Sequence, residues 1–272
     1  MLRRTFLHLY GVGEATERRW WARGLRDWSD YLAAAEPPGP PSAREENRRR
    51  VEAALQCWAE GAWGRLDALL PGAAHWRAFG DLGDRALCLD IETTGGAENE
   101  ITVIGAFDGR EYRAFVAGRD LDQALRWMDR YPLWITYNGA NFDLPAIRAH
   151  FRREPTNAFH SDLLWPLRRL GLRGGLKNIE RALDIRRPPE VQGLSGWDAV
   201  RLWAEHRRGS AEALDLLIRY NREDTVNLMT LQRWSWERLS AAALEPGDAR
   251  QRASRSRGVL QHWDSCERPD RM

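Results

Sequence analysis

Three short apolar runs, closed off from one another by turn signals, interrupt a largely helical pattern, and they constrain the fold more than any other feature of the chain. Ala86-Leu87-Cys88-Leu89-Asp90-Ile91 ends in carboxylates, residues 101–107 form a second run, and residues 111–116 a third with apolar and polar side chains alternating. Gly95-Gly96 and Asp108-Gly109 separate them, and Asp-Gly between two such runs is a strong hairpin signal. A three-strand meander is therefore predicted. Next come a helix over 121–130, a fourth strand over 132–137, a helix over 142–151, a short extended stretch at 158–160 and then mainly helix to about residue 240. A helix between the third and fourth strands lets the fourth run parallel to a neighbour, so the plan is α/β with a mixed sheet flanked by helices.

A small all-helical region precedes this sheet. Residues 1–35 read as two helices around the turn Gly11-Val12-Gly13, followed by a further helix over 28–35 with Asp27 or Ser29 as its cap. The Pro-rich stretch 36–43 cannot be helix or interior strand and reads as a stiff linker. Residues 44–82 form a helical connector whose opening charge run, 44–50, suits a solvated helix face, although its arginines could also touch phosphates. The main domain spans 83–240, and 241–272, low in apolar residues, reads as a disordered tail.

Composition narrows the function classes. No apolar run approaches the roughly 20 residues a bilayer crossing needs, and the first ten residues lack a cleavable leader pattern. The three cysteines, Cys57, Cys88 and Cys266, are odd in number and far apart, which fits a reducing cytoplasm and indicates neither a disulfide framework nor a zinc knuckle. Net charge is only +2, so charge alone does not name nucleic acid as the partner. Of the 41 basic residues, all but Lys177 are arginine, as a GC-rich genome would also produce.

Three elements carry chemistry. Asp90 and Glu92, two apart on a strand, point to one face, where adjacent carboxylates are costly without a cation between them. Tyr137-Asn138-Gly139-Ala140-Asn141-Phe142-Asp143 puts an acid at the C-terminal edge of a strand, where open α/β sheets hold ligands; the alternative is that Asn141 or Asp143 only caps the next helix. Tyr220 and Asp224 are four apart on a helix and share a face. Asp162 suits a helix cap or a substrate contact, and Lys177 a phosphate contact or an ordinary surface charge. At Gly11 and Gly13 the backbone could approach a phosphate, with Arg18 and Arg19 nearby, or the turn could be a simple connector.

In this order and spacing the elements resemble the DEDD exonuclease superfamily, with the tyrosine of its DEDDy subgroup. The closer resemblance is to YprB-like proteins of ribonuclease H-like fold. It rests on Leu89-Asp90-Ile91-Glu92-Thr93-Thr94-Gly95, Tyr137-Asn138-Gly139, Phe142-Asp143, His160-x-Asp162-Leu163-Leu164, Leu176-Lys177-x-x-Glu180, Gly193 and Tyr220-Asn221-x-x-Asp224. Leu9 to Gly13 is similar to a helix-hairpin-helix motif. The resemblance implies a two-metal 3′→5′ exonuclease acting on the 3′ end of single-stranded DNA or RNA. Asp90, Glu92, Asp143 and Asp224 would hold two Mg²⁺ or Mn²⁺ ions, Asp143 directly or through water, and Tyr220 would orient the attacking water. Oxygen-only ligands suit those hard cations. Gly11, Gly13, Arg18, Arg19, Thr93, Asn138, Asn141 and Lys177 are the implied nucleic-acid contacts. A non-catalytic binding module on the same fold and a structure-specific endonuclease remain as alternatives.

Overall fold

Alternation along the first apolar run decides which way the sheet faces. The structure, a computed structural model, describes residues 1–96, 99–152 and 157–244. Ala86–Thr93 (β1) pairs antiparallel with Ile101–Phe107 (β2), which pairs antiparallel with Tyr112–Val116 (β3). On its other side β1 lies parallel to Leu133–Thr136 (β4), which lies parallel to Phe159–Asp162 (β5), giving the order β3-β2-β1-β4-β5. The expected mixed sheet is present, with one strand more than predicted. The short extended stretch expected at 158–160 is this fifth strand, an edge whose backbone is held on the outside when His160 N donates to Asp67 Oδ1 at 2.9 Å.

Helices cover the sheet. Ahead of it lie Glu14–Ala22 (α1), Trp28–Ala33 (α2), Arg44–Glu60 (α3), Trp63–Leu69 (α4) and Phe79–Leu82 (α5). Ala124–Met128 (α6) precedes β4, Asp143–Phe151 (α7) precedes β5, and Leu164–Arg169 (α8), Leu176–Ala182 (α9), Gly196–Arg207 (α10) and Ala211–Leu244 (α11) follow. The helix expected over 121–130 shrinks to one turn of 3-10 helix at Leu121–Gln123 and the short α6. Of the predicted tail, 241–244 completes α11 and the rest lies outside the described residues, as does Cys266. Cys57 and Cys88 are buried free thiols. Among the described residues no helix is long and apolar enough to cross a membrane.

Because side chains alternate across a strand, Leu87, Leu89 and Ile91 pack on one face with Leu125, Met128, Leu144 and Ile147 from α6 and α7. Ala86 and Cys88 face the other way, into a core shared with Leu228 and Leu231 of α11 and with Leu2, Phe6, Trp20, Trp28 and Tyr31. The N-terminal residues are thus part of the same apolar interior as the sheet. An ion pair fixes them there: Arg77 donates two hydrogen bonds to Glu17, at 2.9 and 2.7 Å, with the pair 2% and 1% exposed. Residues 36–43 run against this region with Pro37 buried.

Two helices around Gly11-Val12-Gly13 were expected, and only one is present. The residues before the turn make a 3-10 turn at Leu2–Arg4 and then further turns, because Thr5 and Phe6 are pulled onto the Glu17 carboxylate. Asp27 caps α2 as expected, and Asp30 completes a capping box.

Candidate active site

The strand β1 presents Asp90 and Glu92 on the same face as Ala86 and Cys88, one turn of the pleat further along, where α11 crosses. From α11, Asp224 approaches them, and carboxylate oxygens of Asp90, Glu92 and Asp224 all lie within 4.8 Å of one another. Glu92 and Asp224 are buried and Asp90 half-buried. Asp143, buried at the start of α7, enters from the neighbouring strand β4, and its Oδ1 accepts from Ile91 N at 3.2 Å. Neither Asn141 nor Asp143 makes a side-chain cap on α7. Asn141 Nδ2 donates instead to Asn138 Oδ1 at 3.0 Å.

Repulsion and desolvation mark the cluster. Burial, then the charges of Asp224, Glu92 and Asp143, raise the Asp90 carboxyl well above its ordinary range. Burial and Asp224 push Glu92 up to about 8, and burial pushes Asp143 up to about 7. Such a set favours either shared protons or a cation.

A neutral donor holds the acids in register. Asn221 Nδ2 donates to Asp90 Oδ2 at 2.9 Å and stands 3.4 Å from Glu92 Oε1, while its Oδ1 accepts from the Tyr112 hydroxyl at 2.8 Å. Asn221 reaches β1 only because its neighbour in β2 has no side chain: a Cβ on Gly105 would sit 1.9 Å from Asn221 Oδ1. Gly105 is the register partner of Asp90. Sequence reasoning quoted Asn221 within a motif without giving it a role, since its contact is created by tertiary packing.

Tyr220 is buried beside Asp224, and its phenol is raised above its ordinary value, first by burial and then by the charges of Asp224, Glu92 and Asp90. Lys177 Nζ donates to the Tyr220 oxygen and to Leu194 O, both at 2.6 Å, and lies 4.3 Å from the Tyr220 ring centre. The sole lysine is therefore a partner of the tyrosine at the edge of the acid cluster. Two adjoining clefts share Asp90, Tyr220 and Asp224. One is walled by Thr93, Phe142, Gly196 and Val200, and the other by Tyr137, Lys177, Asn178 and Arg181.

The other sequence-predicted residues fall around this centre or away from it. Thr93 lines the first cleft and donates to Asn99 Oδ1 at 2.6 Å. Asn138, at a positive φ of 61°, lies in a loop braced by Asp162, whose carboxylate accepts from Asn138 N at 2.7 Å, Ala140 N at 3.2 Å and Leu164 N at 3.0 Å. Asp162 ends β5 and organises the backbone leading to Asp143. His160, also on β5, pairs with Thr136 at 2.9 Å and is likewise an internal partner. Gly11, Gly13, Arg18 and Arg19 line neither cleft. Gly13 caps α1, Arg18 stands 3.5 Å from Glu14, and Arg19 donates to Thr16 at 3.1 Å. Glu14 opens α1 and takes Arg169 as well as Arg18.

One charged group at the centre was not anticipated. Arg187 donates to Glu180 at 2.6 and 2.7 Å and to Asp224 Oδ1. Nothing in the local pattern Arg186-Arg187-Pro188-Pro189 signals this, because the partner is distant in sequence.

Two structures of Brucella melitensis NrnC, one of them with bound Mg²⁺, are similar at 20% and 21% identity, each over 71% of this chain and 94% of theirs, with a TM-score of 0.42. No curated protein matches the sequence. The sequence does match the RNase_H superfamily over residues 87–236, the segment that carries every strand and all four acids. On that match, the chain belongs to the ribonuclease H superfamily.

Proposed function

We propose that the chain is a divalent-metal-dependent nuclease, and specifically a 3′→5′ exonuclease of the DEDDy type acting on single-stranded nucleic acid. The observation that carries this reading is the convergence of Asp90, Glu92 and Asp224 within 4.8 Å, in surroundings that raise Asp90 and Glu92 above their ordinary range. A phosphate-binding groove gains nothing from such a cluster unless cations join it.

The donor set fits Mg²⁺ or Mn²⁺: all oxygen, with no histidine or cysteine among the converging ligands. Asp90, Glu92 and Asp224 would hold the metal, and Asp143 would join through the oxygen not engaged by Ile91 N, directly or through water. Divalent ions at such a centre supply an activated water and stabilise charge on the leaving oxygen. The protein's own groups do the positioning. Asn221 fixes the separation of Asp90 and Glu92, and Lys177 fixes the Tyr220 hydroxyl. An ordinary phenol is protonated at neutral pH and a poor base, so the role that fits Tyr220 is to orient water by hydrogen bonding. Thr93 and Phe142 on one side and Tyr137, Asn178 and Arg181 on the other line the path for the strand.

The test is a time course on matched 5′-labelled single-stranded DNA and RNA with Mn²⁺ or Mg²⁺. A ladder shortening from the 3′ end is expected, and the two substrates assign the sugar preference. Discrete internal cuts would replace this reading with an endonuclease, and intact substrate that is nonetheless bound would replace it with a binding module.

A further inference from the structure

Arg187 is in direct contact with the acid cluster, and it is not held there by Asp224 alone. Its Nε and Nη2 meet both oxygens of Glu180, at 2.6 and 2.7 Å, and the same Nη2 reaches Asp224 Oδ1. Asn227 Nδ2 donates to Glu180 Oε1 at 3.0 Å from the next turn of α11. Arg187, Glu180 and Asp224 side chains are 7%, 2% and 9% exposed, so the three charges share a poorly hydrated space.

Counted as charges, the arrangement is a carboxylate, a guanidinium and a carboxylate, net −1. That equals Asp224 by itself. Arg187 would weaken cation binding if it stood alone beside Asp224, and Glu180 cancels that effect while gripping the guanidinium in the planar two-point geometry that only arginine offers. We propose that Glu180 and Arg187 form a charge-balanced clamp that fixes the Asp224 carboxylate for the metal, Arg187 acting as a positioning residue and Glu180 as its electrostatic counterweight. The inference rests on the nuclease reading for its metal and adds two residues that act through Asp224.

This division of labour separates geometry from charge. Arg187→Lys keeps the charge and loses the fork, so Asp224 is no longer fixed. Glu180→Gln keeps the shape and leaves Arg187 uncompensated a few ångströms from the ion, where a unit charge changes cation affinity by at least about tenfold. Glu180→Gln combined with Arg187→Met restores the net charge and abolishes the fork.

The experiment is calorimetric titration of the full chain with Mn²⁺, together with kcat at saturating Mn²⁺ and a thermal melt of each variant. For Arg187→Lys we expect an Mn²⁺ Kd within about threefold of wild type and a kcat at least about tenfold lower. Glu180→Gln weakens Mn²⁺ binding by about tenfold or more. The double variant recovers most of that affinity and none of the kcat. Unchanged Mn²⁺ affinity in folded Glu180→Gln, or a double variant binding no better than Glu180→Gln, would overturn the clamp. If instead the wild-type chain bound no Mn²⁺, the nuclease reading itself would fail, and the two failures are told apart by that first titration. Should Glu180→Gln not fold, Glu180→Asp, which keeps the charge but shortens the reach, is expected to retain affinity and lose kcat; loss of affinity there would also overturn the clamp.

Discussion

Two buried groups of charge in this molecule are built on opposite plans. Around Glu17 every oxygen is answered: Arg77 donates twice, and Thr5 and Phe6 N once each. Around Asp90 the acids outnumber the cations: burial and neighbouring carboxylates push Asp90 and Glu92 upward, and burial, then the charge of Asp162, raises Asp143. A closed pair of the first kind contributes to the integrity of the fold only while both members are present. A crowded cluster of the second kind is a standing cost to the fold, and a chain that keeps one has another use for it.

The comparison breaks most sharply under substitution of the acids. Asp90→Asn or Asp224→Asn is expected to remove nuclease activity altogether; Asp90→Asn should leave the melting temperature equal or higher, because it removes repulsion as well as a ligand, whereas Asp224→Asn also gives up the ion pair with Arg187. Parallel activity assays and thermal melts check this, and wild-type turnover in either purified variant would sink the assignment. Next in size is Tyr220→Phe, expected to slow the chemical step by about 10²–10⁴-fold with Mn²⁺ still bound. Calorimetry that found no Mn²⁺ binding in this variant would make the phenol a ligand and not an orienting group.

The Glu17 side of the comparison is tested by Arg77→Met. It strands a carboxylate at 1% exposure and should cost about 3–5 kcal/mol in urea unfolding, with kcat unaltered in the folded fraction. Deleting residues 1–43 goes further, since it takes away Glu17 together with Leu2, Phe6, Trp20, Trp28 and Tyr31 from the shared core. Loss of cooperative folding is expected, and a native-like melt for a chain starting at Arg44 would show the N-terminal packing to be dispensable.

The smallest effect is the pH response. Glu92 rises from 4.5 to about 8 and Asp143 from 3.8 to about 7, so the folded state holds protons that the unfolded state has released. In the chelator-treated protein the contribution of these two acids to stability should therefore be greatest below the ordinary carboxylate range and fall as pH rises toward about 8. Added Mn²⁺ should raise the melting temperature more at pH 8 than at pH 6. An equal rise at both would mean that the acids are already charged at the lower pH.

Much of this site is written in local spacing. Alternation aligns Asp90 with Glu92, the helical repeat aligns Tyr220 with Asp224, and an Asn-Gly turn after an apolar run places Asp143 at a strand end. What sequence reading missed depends on partners far along the chain. Arg187 lies 37 residues from Asp224, Asn221 is 131 from Asp90, and the need for glycine at 105 exists only once β2 has settled opposite Asp90. The fifth strand was legible only as a short extended stretch for a related reason, since His160, Ser161 and Asp162 are held by Asp67, Gln232 and the loop after β4. Residues 1–35 looked separable because their helices are short and a proline stretch follows, whereas their apolar side chains complete the interior beneath β1 and β4.

The helix α11 carries Tyr220, Asn221 and Asp224 near its middle, touches β1, β2, β3 and β4, and continues past Gln232 to Leu239, which packs on Trp76. A helix of 34 residues is roughly 50 Å long, so one rigid rod is keyed into the acid cluster, the sheet and the segment that bears Arg77. Its central amides therefore have no small local opening available to them. They should exchange with solvent deuterium only when the whole molecule unfolds, and their exchange rate becomes a direct reading of global stability taken at the active site.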